Sequence, residues 1–143
     1  NILPIVMACL NLSREKVGAL IVIEEEVDLS MYSSTGESIN ADISTRLIEN
    51  IFFKNSPLHD GAMIISHNRI KSAGCILPVS HSQLIPKKLG LRHRAALGVS
   101  QETDAYAVIV SEETGNISIA YRGEIRIGVT AEQIEDILTK GEW

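Results

Sequence analysis

The sequence predicts an α/β domain of the mixed α+β kind, a central mixed β-sheet flanked by helices, and three observations predict it. Two unbroken aliphatic runs, residues 19–23 and 105–110, read as strands buried on both faces. Two pairs of strand-like segments, 62–66 with 70–77 and 117–121 with 125–129, are joined by short turns of the hairpin kind. Amphipathic segments at helical spacing stand between these strands and at both ends, so the elements do not follow the strict alternation of a parallel fold.

Taken in order, Pro4 suits the first turn of a helix, and Ile5, Val6, Cys9, Leu10 and Leu12 form an apolar stripe that runs out in the charged residues 14–16, with Gly18 as the stop. The run 19–23 leaves the core at Glu24, Glu25 and Glu26, and residues 33–38 read as loop. From Asp42, a candidate N-cap, Ile43, Leu47, Ile48, Ile51 and Phe52 fall on one helical face, which Asn55, Ser56 and Pro57 terminate. Strands 62–66 and 70–77 flank the turn His67-Asn68-Arg69, and Pro78 closes the second. After a loop over 80–86, Ala95, Ala96, Leu97 and Val99 predict a helix that begins within the segment 90–94. Ile117, Ile119 and Tyr121, then Ile125, Ile127 and Val129, alternate with polar partners about a turn at Arg122-Gly123. Thr130 with Gln133 is a capping box ahead of Ile134, Ile137 and Leu138.

The 143 residues make one domain, 1–143, able to hold a sizeable core without disulfides or structural metal. With 13 Lys+Arg against 18 Asp+Glu the net charge is -5, which argues against nucleic acid as a partner but leaves room for a small anionic ligand. Cys9 and Cys75 match no metal-ligand spacing and lie in apolar stretches, so they are expected to be reduced, buried thiols of a cytosolic domain. No stretch reaches the ~18–20 apolar residues of a membrane span. The chain starts at Asn1 rather than Met and reads as part of a longer protein.

Nucleotide signatures of the P-loop and G-x-G-x-x-G kinds are absent. Three polar segments at element ends are the candidate chemistry. In Leu58-His59-Asp60-Gly61-Ala62, Asp-Gly is ordinary turn chemistry, or else His59 and Asp60 are adjacent metal-site candidates beside a glycine that admits a phosphate close to the backbone. A His-Asp pair also occurs in HD-type phosphohydrolases, but His67, His81 and His93 supply no matching set of further ligands. Gly90-Leu91-Arg92-His93-Arg94 is the densest cationic cluster, and at a helix N-terminus such a cluster is unfavourable unless an anion binds. Arg92 and Arg94 would point to nearly opposite sides of a helix, so both can serve one phosphate chain only if Arg92 precedes it; otherwise one is structural or faces a neighbouring subunit. Ser111-Glu112-Glu113-Thr114-Gly115 is an acidic turn, or a carboxylate for a metal with a hydroxyl for a phosphate.

Together and in this order, the three segments resemble the diadenylate cyclase (DAC) domain family, nearest its membrane-anchored class, which makes cyclic di-AMP. The resemblance spans nearly the whole chain, and Asp-Gly-Ala with Arg-His-Arg at this separation is specific where neither triplet alone would be. It implies that two ATP condense to cyclic di-AMP and two pyrophosphates, with a divalent metal (Mn²⁺, Mg²⁺ or Co²⁺) and positive charge on the phosphates. Carried over, Asp60 would orient or deprotonate the 3′-hydroxyl and His59 would lie at the metal–phosphate site. Gly61, followed by Ala62, would make a close backbone contact. Arg92 and Ser111 would hold phosphate oxygens, Glu113 would support the metal or the ribose, and Ile76 with Leu77 would line the adenine pocket. His93 and Arg94 complete the nucleotide-binding motif without separable roles.

Leu91 stands where family members often have Thr, which removes a hydrogen-bond donor worth ~0.5–1.5 kcal/mol and predicts weaker ATP binding rather than an inactive site. Ile76 stands where an aromatic is common. The resemblance further implies a face-to-face homodimer, since one copy holds one ATP. It also implies a membrane anchor in the full-length protein with this soluble domain in the bacterial cytoplasm, and phosphoglucosamine mutase and a membrane regulator as partners. The alternative in another class is a module that binds ATP or the cyclic dinucleotide without turnover.

Overall fold

The computed structural model describes residues 1–83 and 85–143. In chain order the elements are α1 (Leu3–Arg14), β1 (Ala19–Ile23), α2 (Ser30–Ser33), β2 (Glu37–Asp42), α3 (Thr45–Phe52), β3 (Ala62–Ser66), β4 (Arg69–Cys75), α4 (Leu91–Glu102), β5 (Tyr106–Val110), β6 (Ile117–Tyr121), β7 (Glu124–Ile127) and α5 (Ala131–Lys140). The strands form one sheet in the order β2-β4-β3-β1-β5-β6-β7, in which β1 and β3 are parallel and every other neighbouring pair is antiparallel. The mixed sheet flanked by helices is the architecture expected. Of the loop expected over 80–86, Leu84 lies outside the described residues.

Local chemistry explains most boundaries, and some differ from expectation. α1 carries Pro in its first turn but ends at Arg14, before Gly18. Its stop is Lys16 in the left-handed region, φ 52°, with Val17 N–H donating to Leu12 O and Lys16 N–H to Ser13 O, the two bonds of a Schellman motif. α3 is capped by Ser44, whose hydroxyl accepts from Leu47 N–H at 3.3 Å; Asp42 is instead the last residue of β2, an edge strand that was not expected and that begins within the loop expected over 33–38. β4 ends at Cys75 rather than Leu77, because Ile76 N–H turns away to Thr35 Oγ1 at 2.8 Å. His67 and Asn68 take positive φ in a two-residue hairpin loop. The Thr130–Gln133 capping box is formed, with both reciprocal bonds.

Two cores lie on the two faces of the sheet. One is built by α1, α3 and α5 against residues such as Ile21, Met63, Val108 and Ile119. The other is built by α4 against Leu20, Val22, Ala62, Ile64, Ala107 and Ala120. Cys9 and Cys75 are free and buried, and burial pushes the Cys9 thiol up to about 12. No helix among the described residues is long and apolar enough to cross a membrane.

Strand register decides where polar groups can gather. Ile21 pairs with Met63, Ala19 with Val110, and Ala62 with Cys75, so the starts of β1 and β3 and the ends of β4 and β5 share one edge of the sheet.

Candidate active site

A cavity of about 600 Å³ opens at that edge, under the N-terminus of α4. It is lined by His59, Asp60 and Gly61 before β3, by Ile76 and Leu77 after β4, by Leu91, Arg92 and His93 at the start of α4, and by Ser111, Glu112 and Glu113 after β5. Thus ten of the twelve residues expected at a nucleotide or metal site face one space. The two that do not are Ala62, fully buried in the sheet, and Arg94.

Gly61 sits at φ 97°, and a Cβ there would lie 2.8 Å from Cys75 O, so its bare backbone is required by β4 crossing beside it. Asp60 therefore emerges from a fixed turn, and its side chain is 84% exposed. His59 Nδ1 lies 2.8 Å from Ser56 O; a carbonyl only accepts, so Nδ1 carries the proton and donates. Nε2 then faces Asp60 Oδ1 at 3.3 Å. Two lone-pair sites that close suit a cation between them, so the pair fits a divalent metal chemically, with the outer nitrogen already oriented. Among the described residues no group of three or more His, Cys, Asp or Glu converges in this way. Glu113 reaches the same cavity from the turn after β5, with β1 lying between β5 and β3 in the sheet.

α4 begins at Leu91 with Gly90 as N-cap, no side-chain cap and no acidic residue in its first turn, so the free N–H groups and the positive end of the helix dipole turn toward the cavity. Arg92 lies inside the helix, not ahead of it. In consequence the two arginines diverge: Arg92 Nη1 donates to Glu112 Oε1 at 3.2 Å, while Arg94 Nη1 donates to Ser80 O at 3.3 Å and Ser82 O at 3.0 Å, bracing the loop before the helix. His93 is buried, and burial, followed by the neighbouring Arg92 charge, holds its imidazole below the usual value, in the neutral form. Leu91 is 74% exposed and Ile76 71%, so two large apolar side chains stand at the rim. Leu77 is buried below them.

Ser111 Oγ accepts from Glu113 N–H and Thr114 N–H, at 3.2 and 3.3 Å, which fixes the turn and leaves the hydroxyl proton for another acceptor. Lys88 also lines the cavity and was not singled out from the sequence; a lysine in a loop carries no periodicity signal. The lining holds three carboxylates, Asp60, Glu112 and Glu113, against two cations, Lys88 and Arg92.

Residues 6–125 match the family model described as DAC, DisA bacterial checkpoint controller nucleotide-binding. The cyclic di-AMP synthase CdaA of Bacillus subtilis is 45% identical over 127 residues, which are 89% of this chain and 46% of that protein. A diadenylate cyclase of Listeria monocytogenes is 46% identical over 129 residues, 90% of this chain and 47% of that protein. The chain thus spans about half the length of these curated relatives. A crystal structure of a double mutant of DacA from Staphylococcus aureus superposes with a TM-score of 0.95 at 44% identity, covering 97% of this chain and 93% of that one. A structure of a hypothetical membrane spanning protein from Bacillus cereus gives 0.84 at 43% identity, over 88% and 62%. The fold is shared with these solved structures, and the chain belongs to the DAC family.

Proposed function

We propose that the cavity is one half of a diadenylate cyclase active site, in which two ATP condense to cyclic di-AMP with release of two pyrophosphates. The observation that carries this reading is the convergence on one cavity of three motifs far apart in sequence, each supplying a different need of the reaction. In each transfer a 3′-hydroxyl oxygen forms a bond to the α-phosphorus of the other nucleotide. The bond from that phosphorus to the bridging oxygen of pyrophosphate breaks, and the hydroxyl proton passes to a base. Asp60 suits the hydroxyl: its exposed carboxylate can orient, or accept the proton of, a group arriving from outside the copy that carries it.

Arg92, the Ser111 hydroxyl and the free N–H groups of α4 suit the phosphates. Gly61 keeps the phosphate side open, Leu77 and Ile76 give the adenine an apolar wall, and Glu113 serves the ribose side. Leu91 offers no hydroxyl to a phosphate. His93 forms a neutral wall, and Arg94 holds the loop that bears Ser80 and Ser82.

The lining has a surplus of one negative charge, so the side chains alone do not neutralise a triphosphate. His59 and Asp60 would hold a divalent ion (Mn²⁺, Mg²⁺ or Co²⁺) together with phosphate oxygens, the usual mode for a site with few protein ligands. When bound, it supplies charge neutralisation and Lewis-acid polarisation of the phosphoryl group.

One cavity accommodates one nucleotide in this scheme, so two copies meet face to face about a two-fold axis. The exposed Ile76, Leu91 and Asp60 at the rim support that arrangement. Anchoring of the full-length protein in the membrane, with this domain on the cytoplasmic side, belongs to the same proposal and is supported by the Bacillus cereus neighbour described as membrane spanning.

The test is incubation with ATP and each of the three metals, with chromatographic resolution of products. Cyclic di-AMP is expected, and Asp60→Asn is expected to reduce its formation at least ~100-fold, the low end for a general acid–base group. No product with any metal, or undiminished product from the variant, would reject the reading; tight nucleotide binding without pyrophosphate release would establish the non-catalytic module in its place.

A further inference from the structure

We propose that Gly18 is a positioning residue for Arg92: its missing side chain leaves the recess that the guanidinium occupies, and so sets where the phosphate-binding cation of the cavity stands. The inference rests on the reading of the cavity as an ATP site.

Gly18 looks in sequence like a helix terminator, but the Schellman motif at Lys16 already ends α1 without it. Nor does its backbone demand glycine, since its φ lies outside the left-handed region. What demands glycine is a side chain. A Cβ at position 18 would lie 2.6 Å from both Cζ and Nη1 of Arg92 and 3.1 Å from Nη2, and those are its three nearest atoms.

The other tight glycines differ. At Gly61, Gly98 and Gly115 the nearest atoms are backbone, Cys75 O, Pro78 O and Ser13 O, and at Gly36 backbone and the Cys75 sulfur, so in those places a side chain would disturb the fold. At Gly18 the three nearest atoms all belong to the far end of one flexible side chain.

Arg92 has little else to hold it. The side chain is 23% exposed, and among the described residues its buried Nε has no hydrogen-bond partner and its single ion pair is to Glu112, itself 55% exposed. Its position is therefore set by shape, the flat guanidinium packed over the α1–β1 junction, more than by bonds. Even a methyl group there would push the guanidinium out of its seat while leaving the backbone free to adopt its present course.

The experiment compares wild type, Gly18→Ala, Arg92→Lys and the double variant. It measures affinity for α,β-methylene-ATP with Mn²⁺, thermal unfolding, and the crystal structures of wild type and Gly18→Ala. Gly18→Ala is expected to weaken nucleotide binding about tenfold or more, the loss of a charge-assisted contact, with Tm moved by less than about 2 °C. Arg92→Lys lacks the planar fork, so adding Gly18→Ala to it is expected to change affinity no further.

Unchanged affinity in Gly18→Ala, or an equal loss from Ala in the Arg and Lys backgrounds, overturns the proposal. So does a guanidinium that stays in place in the Gly18→Ala crystal. If Gly18→Ala fails to fold, recovery in the Arg92→Lys background supports a clash with arginine, and continued failure overturns it. A displaced guanidinium in Gly18→Ala together with a wild type that binds no nucleotide removes the ATP reading and leaves the Gly18–Arg92 relation standing.

Discussion

The two faces of the sheet are built from different materials. On the face covered by α1, α3 and α5, three of the 21 buried cluster residues are alanine and the rest are mostly large aliphatics such as Ile5, Ile48, Ile119 and Ile134. On the α4 face five of 13 are alanine: Ala62, Ala96, Ala105, Ala107 and Ala120. Small residues let α4 lie close to the strands, and Gly98 lets it pass close to the segment after β4, where a Cβ would meet Pro78 O at 2.0 Å. The thick face is where large side chains leave water, the main source of stability. The thin face brings a helix N-terminus level with the sheet edge, which opens the cavity. Folding energy and ligand chemistry are thus carried on opposite sides of the same strands, and substitutions should separate them.

The largest effect is expected on the thick face. Ile48→Ala removes a fully buried side chain and should cost about 2–5 kcal/mol of stability by chemical denaturation, while kcat/KM measured well below the transition stays near wild type. A loss of activity greater than the loss of folded protein would break the separation.

Next is Arg92→Ala on the thin face. Losing a charge-assisted phosphate contact should cost ~1.5–3 kcal/mol in ATP or transition-state binding, read as kcat/KM. Stability should change less than for Ile48→Ala, since the Nε removed is unpaired and the ion pair lost is to a half-exposed Glu112. Unchanged kcat/KM would make the arginine structural.

The smallest effect concerns His93, at the seam of the two roles. Burial and then the Arg92 charge hold its folded imidazole below the ordinary histidine value, so the unfolded chain binds the proton first. The stability it contributes is complete above that value and declines as pH falls below it, with a slope under ~1.4 kcal/mol per pH unit, the ceiling for one proton. Denaturation midpoints between pH 7.5 and 5 for wild type and His93→Gln measure this; an identical slope in both would show that His93 is not its source.

What was legible in the sequence follows from whether the cause is local. The aliphatic runs of β1 and β5, the Thr130 capping box and the hairpin at His67-Asn68 declare themselves within a few residues. β2 does not. Glu37–Asp42 is polar and mostly exposed, has positive φ at Asn40 where its register with β4 shifts, and is a strand because β4 offers an unpaired edge. Asp42 and Ser44 are both plausible caps, and only the end of that strand decides between them.

At the site, the three motifs were readable because reactive side chains cluster at element ends. The divergence of Arg92 and Arg94 followed from the helical turn once α4 was known to start at Leu91. Lys88 and Gly18 were not readable in the same way, since each matters through a neighbour distant in sequence.

The lone parallel pair, β1 with β3, has a kinetic meaning. Antiparallel neighbours such as β3–β4 and β5–β6 close through short turns, but pairing β1 with β3 closes a loop that contains α2, β2 and α3. The cavity straddles this pairing and also needs the end of β5. Contacts of such long loop length form late in folding, so the hairpins can exist before the binding site does. Nucleotide binding would then report the last step of folding, and during refolding it should lag behind the recovery of secondary structure.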